Sequence, residues 1–143
     1  MAICTFFGHS ECPRLEREAL FSVVRGLVDS GRARDFYVGD SGGFDCMARG
    51  VLREMLSSGA PIRYGVVLAY MPQGDVRFGA ERVIFPAGLE FVPPRYAIPW
   101  RNRWMLDRAD YVITYINHRW GGASRFAELA ERHGKSVIRL GSL

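Results

Sequence analysis

Several features are missing from this chain, and each absence narrows what it does. No apolar run is long enough to cross a bilayer, and charges interrupt every candidate, so no membrane association is expected. Cysteine is scarce. Cys4, Cys12 and Cys46 form no Cys-x-x-Cys pair, and an odd, sparse set fits reduced thiols in a cytoplasm. Cys4, His9 and Cys12 are too few and too irregular for a zinc site, so no metal and no other cofactor is predicted. There is no internal repeat and no low-complexity segment. Neither a P-loop nor a true G-x-G-x-x-G fingerprint is present. Charge of one sign is not in large excess either: the net charge is +4 over 143 residues. The arginines behind it are scattered, with local density at Arg95, Arg101, Arg103 and Arg108. This distribution argues against a nucleic-acid partner, which calls for a concentrated basic face. Most of these arginines read as solvated surface and some as anion contacts. The opening Met1-Ala2-Ile3-Cys4 runs straight into a strand-like segment, without a basic n-region or cleavage site. The expectation is therefore a cytoplasmic chain without a secretory leader.

What is present is enough apolar material, 48% of residues, for one domain spanning 1–143. Three apolar, β-branched or aromatic runs stop at small-residue turns that lead into helix-like segments. These are Ile3–Phe7 before Gly8-His9-Ser10, Phe36–Val38 before Gly39-Asp40-Ser41-Gly42-Gly43, and Tyr111–Ile116 before Gly121-Gly122-Ala123-Ser124. Between them, Leu20, Val23, Val24, Leu27 and Val28 repeat at helical spacing and stop at Ser30-Gly31. Pro13 suits the first turn of that helix, with Glu16 and Glu18 near its positive end. Phe44, Met47, Ala48, Val51, Leu52, Met55 and Leu56 form a second apolar stripe, ended by Gly59-Ala60-Pro61. Tyr64–Tyr70 reads as a third strand, closed by Met71-Pro72. A Pro-rich insertion with little periodicity follows, over about 73–99, and holds Val83-Ile84-Phe85 as a candidate short strand. A helix is predicted around Arg101–Arg108, a fourth strand over Tyr111–Ile116, a last helix from about Ser124 to His133, and a fifth strand over Ser136–Leu140.

Strands alternating with helices predict an α/β fold: a single Rossmann-like three-layer domain with a mainly parallel five-stranded sheet. The assumed order 3-2-1-4-5 puts a crevice between the first and fourth strands. In such sheets ligands bind outside the carboxyl ends of the strands. Glycine lets a ligand approach the main chain, and helix N-termini favour anions. The expected ligand is thus a phosphate-bearing small molecule, held by Gly8, His9, Ser10, Gly39, Ser41, Gly42, Gly43, Asp45, Arg101, Asn102, Gly121, Gly122, Ala123 and Ser124.

Individual residues carry alternatives. The Gly39–Gly43 turn either cradles phosphate or only makes a tight strand-to-helix connection. Asp45 repels phosphate but accepts from ribose or base groups, or simply suits a helix N-terminus. His9 either serves a ligand oxygen or bonds its own turn. Arg101 supplies a planar fork for an anion, and Asn102 can read a base or hydroxyl. Trp104 and Met105 read as core. Tyr96 and Trp100 cover a base or anchor the insertion. Cys46, in the first turn of a helix, lacks a resolving partner for redox work. Glu128 either activates water or forms a solvated pair with Arg132 at i+4.

Several blocks together resemble a known family: Phe6-Phe7-Gly8-His9, Gly39…Gly43-Phe44-Asp45, Phe85-Pro86-Ala87-Gly88-Leu89-Glu90, Pro93-Pro94-Arg95-Tyr96-Ala97-Ile98, Arg101-Asn102-Arg103-Trp104-Met105 and Gly121-Gly122-Ala123. In order and nearly along the whole chain, they are similar to the YpsA-like branch of the SLOG superfamily, which joins the DNA-processing DprA/Smf proteins to the Lonely Guy enzymes. The resemblance implies a Rossmann-like fold and a nucleotide or nucleotide-derived ligand, with a sensor role in view. It also implies two alternatives. One is a phosphoribohydrolase that splits the N-glycosidic bond of nucleoside 5′-monophosphates. The other is a DprA-like DNA-processing accessory protein. For the hydrolase, Arg101 and Met105 satisfy an Arg-x-x-x-Met motif, and Gly121, Gly122 and Glu128 fall in register with Pro-Gly-Gly-x-Gly-Thr-x-x-Glu. Arg101 would then position substrate, and Glu128 would assist water or stabilise the sugar cation. Trp120, Ser124 and Arg125 depart from that loop, and Asp45 stands where those enzymes carry Met. Lonely Guy relatives are dimers, so the resemblance allows a homodimer.

Overall fold

The computed structural model describes residues 2–13, 16–71 and 81–141. The elements, in chain order, are β1 (Ile3–Gly8), α1 (Glu16–Asp29), β2 (Asp35–Gly39), α2 (Gly43–Ser57), β3 (Arg63–Val67), β4 (Arg82–Ile84), α3 (Ala97–Arg108), β5 (Tyr111–Tyr115), α4 (Gly122–Arg132) and β6 (Ser136–Leu140). Short 3-10 turns at Leu89–Phe91 and Pro94–Tyr96 precede α3.

The strands form one sheet in the order β4-β3-β2-β1-β5-β6, with every adjacent pair parallel. Alternation along the strands divides the interior into two layers. Phe6, Val66 and Ile113 face α1 and α2, where Leu20, Val24, Val51, Leu52 and Met55 are buried. Their neighbours Phe7, Val67 and Val112 face α3 and α4, against Met105, Leu106 and Ala130. Strands buried on both faces read as continuous apolar runs rather than alternating ones, as parallel sheets require. The chain is therefore an α/β three-layer structure.

The expected order of the five main strands is the observed one, and the sheet gains a sixth, β4, outside β3. β4 is only three residues long with Arg82 and Val83 exposed, so it leaves almost no pattern in the sequence. The third strand stops at Val67, short of the expected Tyr70. Leu68 and Ala69 are apolar for another reason: both are buried, and Ala69 packs with Leu89 and Ala97 in a small satellite core under the 3-10 turns. α3 begins at Ala97, ahead of the expected start, because Pro99 falls in its first turn, where the missing N–H has no intrahelical partner to lose. Residues 73–80 of the expected insertion lie outside the described residues; the rest supplies β4, the two 3-10 turns and the start of α3.

Candidate nucleotide-binding crevice

β1 and β5 lie side by side, and the chain leaves them toward opposite faces, into α1 and α4. The divergence opens a crevice of about 510 Å³ at their carboxyl ends. Its lining comes from Phe6–Glu11, from Ser41 and Asp45 at the start of α2, from Ile98, Arg101 and Asn102 on α3, and from Asn117, His118 and Gly121–Ala123 before and within α4. The volume suits a ligand the size of one nucleotide.

Ten of the fifteen expected site residues meet there: Gly8, His9, Ser10, Ser41, Asp45, Arg101, Asn102, Gly121, Gly122 and Ala123. Gly39, Gly42, Gly43, Ser124 and Glu128 do not line it. The glycines among these serve the frame. Gly43 donates its amide to the Ser10 carbonyl at 2.6 Å, and Phe44 donates to the His9 carbonyl at 3.4 Å. The first amides of α2 are thus capped by the loop after β1 and are not free for an anion. Gly42 has φ 89°, a conformation that favours glycine. A Cβ on Gly39 would fall 2.6 Å from Asp45 Oδ2 and 2.8 Å from Arg101 Nη1, so glycine there makes room for a charge cluster.

That cluster is built around Arg101, whose side chain is 1% exposed. Nη1 donates to the Val67 carbonyl at 2.8 Å and to Asp40 Oδ1 at 3.0 Å, and Nε donates to Asn102 Oδ1 at 2.9 Å. Nη2 donates to Ser41 Oγ at 3.5 Å, so Nε and Nη1 tie the ends of β2 and β3 to α3 and Nη2 faces the crevice lining beside Ser41. Asp45 Oδ2 accepts from the Ser41 amide at 3.1 Å. Burial pushes the Asp45 carboxyl up to about 6, against the opposing pull of Arg101.

The start of α4 is different. Gly121, at φ 95°, precedes it, and no side chain caps it. Among the described residues the amides of Gly122 and Ala123 have no acceptor, as expected for the first turn of a helix. Both residues line the crevice, so this end of the helix offers free N–H groups and positive potential to it.

Beside that turn, the rings of His9 and His118 stack with centroids 3.5 Å apart, and Trp120 stacks on the far side of His118 at 4.0 Å. Burial first, and then the charge of His118, hold His9 below the ordinary imidazole range. His9 Nε2 and His118 Nδ1 are both buried without a partner among the described residues. Sequence reading missed Glu11, Asn117 and His118. An Asn-His pair directly after a strand was the available signal for the last two.

Glu128 lies elsewhere. It lines a separate groove of about 300 Å³ with Thr114, Arg119, Ser124, Glu131 and Arg139, and its carboxylate sits 3.9 Å from Arg132. Ser124 belongs to that groove as well. Trp100 packs with the satellite core, and Tyr96 carries the Arg95 guanidinium over its ring at 4.8 Å; neither lines the crevice. Met105 is buried and Trp104 packs in the same layer, as core.

The fold is also found in solved structures. DNA processing protein A (DprA) from Streptococcus pneumoniae matches all of this chain over 52% of its own length, with a TM-score of 0.69 and 19% identity. The fold is DprA-like. DNA processing protein A from Helicobacter pylori, in a structure described by its unique single-stranded DNA binding mode, matches 99% of this chain over 66% of its own length, with a TM-score of 0.68 and 15% identity. The chain thus spans between half and two thirds of these proteins. No protein-family model matches it, and no curated protein does. The neighbours correct one expectation: scattered arginines were read as arguing against a nucleic-acid partner, yet a DprA-like neighbour is described by how it binds single-stranded DNA. Among the described residues, no helix is long and apolar enough to cross a membrane.

Proposed function

We propose that this chain binds single-stranded DNA, seating one nucleotide unit in the crevice between β1 and β5. The observation that carries the reading is the uncapped start of α4, whose Gly122 and Ala123 amides open onto a cavity of nucleotide size. A phosphate belongs at that rim, where the helix dipole and free donors favour it. Asp45, Ser41 and Asn102 belong to the sugar or base, because a carboxylate repels phosphate but accepts from hydroxyl and amino groups. The DprA-like fold and the binding mode of its H. pylori neighbour support the same partner.

A second reading, a free nucleotide or nucleotide-derived ligand held as a signal, is supported by the cavity's size, which takes one such unit. The resemblance of its motifs to the YpsA-like branch of the SLOG superfamily supports the same reading. The phosphoribohydrolase reading loses its carboxylate, since Glu128 stands in a different groove and pairs with Arg132.

The deciding experiment is fluorescence anisotropy with labelled oligothymidylate at several salt concentrations, with mononucleotides as competitors. Binding to the single strand that weakens with salt is expected. Tight binding of a mononucleotide without any binding to the strand would replace the first reading by the second.

A further inference from the structure

Trp120 is 71% exposed beside the crevice, an unusual position for a large aromatic ring. It is not loose. One face rests on His118 at 4.0 Å, and His118 rests on His9 at 3.5 Å, so three rings form a ladder from the crevice wall to the surface. The ladder ends in an open indole face. On either side of Trp120 in the chain, Arg119 and Arg125 are exposed, and among the described residues neither makes an ion pair. Most other arginines of the described surface are engaged: Arg103 with Asp107, Arg108 over Trp104, Arg132 with Glu128 and Arg139 with Glu131. Two cations without ion pairs, an open helix start and a braced ring therefore fall within residues 119–125, with Arg119 at the edge of the groove that holds Glu128 and Arg125 on the outer side of α4.

We infer that this rim carries a single strand out of the crevice, with the next base stacked on Trp120 and its flanking phosphates neutralised by Arg119 and Arg125. The occupant is a polyanion that also bears flat apolar rings, and single-stranded nucleic acid has both. Stacking needs no particular base, so the path is sequence-tolerant. The ladder fixes the indole before binding, which lowers the entropic cost of ordering it. The inference rests on the single-strand reading of the crevice and adds a second subsite to it.

The test compares a labelled oligothymidylate with thymidine 5′-monophosphate, which fits the crevice alone. Trp120→Ala is expected to weaken the oligomer about tenfold while leaving the mononucleotide unchanged, and Trp120→Phe to retain most of the affinity. Arg119→Gln and Arg125→Gln are each expected to lower the slope of log affinity against log salt by about 1. All of these positions are exposed, so the variants are expected to fold. Oligomer binding that is unchanged in every variant overturns this path and leaves the crevice reading standing. Absence of oligomer binding by the unaltered chain overturns both.

Discussion

Gly43 donates its amide to the Ser10 carbonyl at 2.6 Å, so the loops after β1 and β2 are stitched into one structure. With the Phe44 amide donating to the His9 carbonyl, this bond takes up the first two amides of α2, whereas the Gly122 and Ala123 amides that open α4 have no acceptor among the described residues. A Cβ at position 43 would lie 2.3 Å from the Ser10 oxygen, a backbone atom that cannot swing aside. Gly43→Ala is therefore expected to cost about 2 kcal/mol or more, through a forced backbone shift. At Gly122 a Cβ meets nothing within 4 Å. Gly122→Ala is expected to leave stability unchanged or to raise it by about 0.5 kcal/mol, yet to weaken single-strand binding by crowding the phosphate rim. Urea denaturation and anisotropy on the two variants separate a glycine kept for the fold from one kept for a guest.

Arg101 is expected to be needed first for folding. Removing it orphans the Val67 carbonyl and leaves Asp40 and Asp45 facing each other without their shared cation. Arg101→Ala should destabilise by about 3 kcal/mol. Arg101→Lys should recover only part of this, because an ammonium cannot reach Val67, Asp40 and Asn102 together with a planar fork's geometry. Full stability of the alanine variant by chemical denaturation would show that the cluster does not hold α3 to the sheet.

The three alanine variants also mark how far the sequence was legible. Strand-turn-helix punctuation at Gly8, Gly39 and Gly121 placed the crevice, because parallel strands put their carboxyl ends on one edge whatever the side chains. β4 was faint, since three residues with two exposed positions give neither alternation nor a run. The structural role of Arg101 was not legible: its type and spacing suited a phosphate fork, and only the carbonyl of Val67, brought near by β3, shows that Nη1 is already used. His118 was hidden for a similar reason. Its partner His9 is more than a hundred residues away in the chain, and no local pattern announces a stack between them.

Glu128 is expected to be dispensable. Its side chain is 66% exposed and its contact with Arg132 is long, so screening by solvent leaves the pair worth little. Glu128→Gln should shift stability by less than about 0.5 kcal/mol and leave oligonucleotide affinity as it was. Release of ribose 5-phosphate from nucleoside monophosphates that disappears in this variant would restore the hydrolase reading and displace the binding one.

Asp45 carries a cost that pH can expose. Burial raises its folded pKa from 3.8 to about 6, so the folded chain holds this proton more tightly than the unfolded chain does. A group of this kind favours folding below about pH 4, loses that contribution as pH rises through the window to about 6, and imposes its full penalty at neutrality. Two pKa units correspond to about 3 kcal/mol. Asp45→Asn keeps an oxygen for the Ser41 amide and never ionises, so it should match the native chain near pH 4 and exceed it in stability at pH 7. Other carboxyls titrate in the same range, but they do so in both proteins, and the difference between the two curves isolates this one. Parallel curves would mean that the carboxyl is better solvated than its position implies. A carboxylate that weakens the fold on the wall of a crevice is best explained by what it binds, since functional sites are where such costs are kept. The more stable asparagine variant should accordingly hold the single strand less tightly at pH 7, and equal affinity would remove Asp45 from the ligand's contacts.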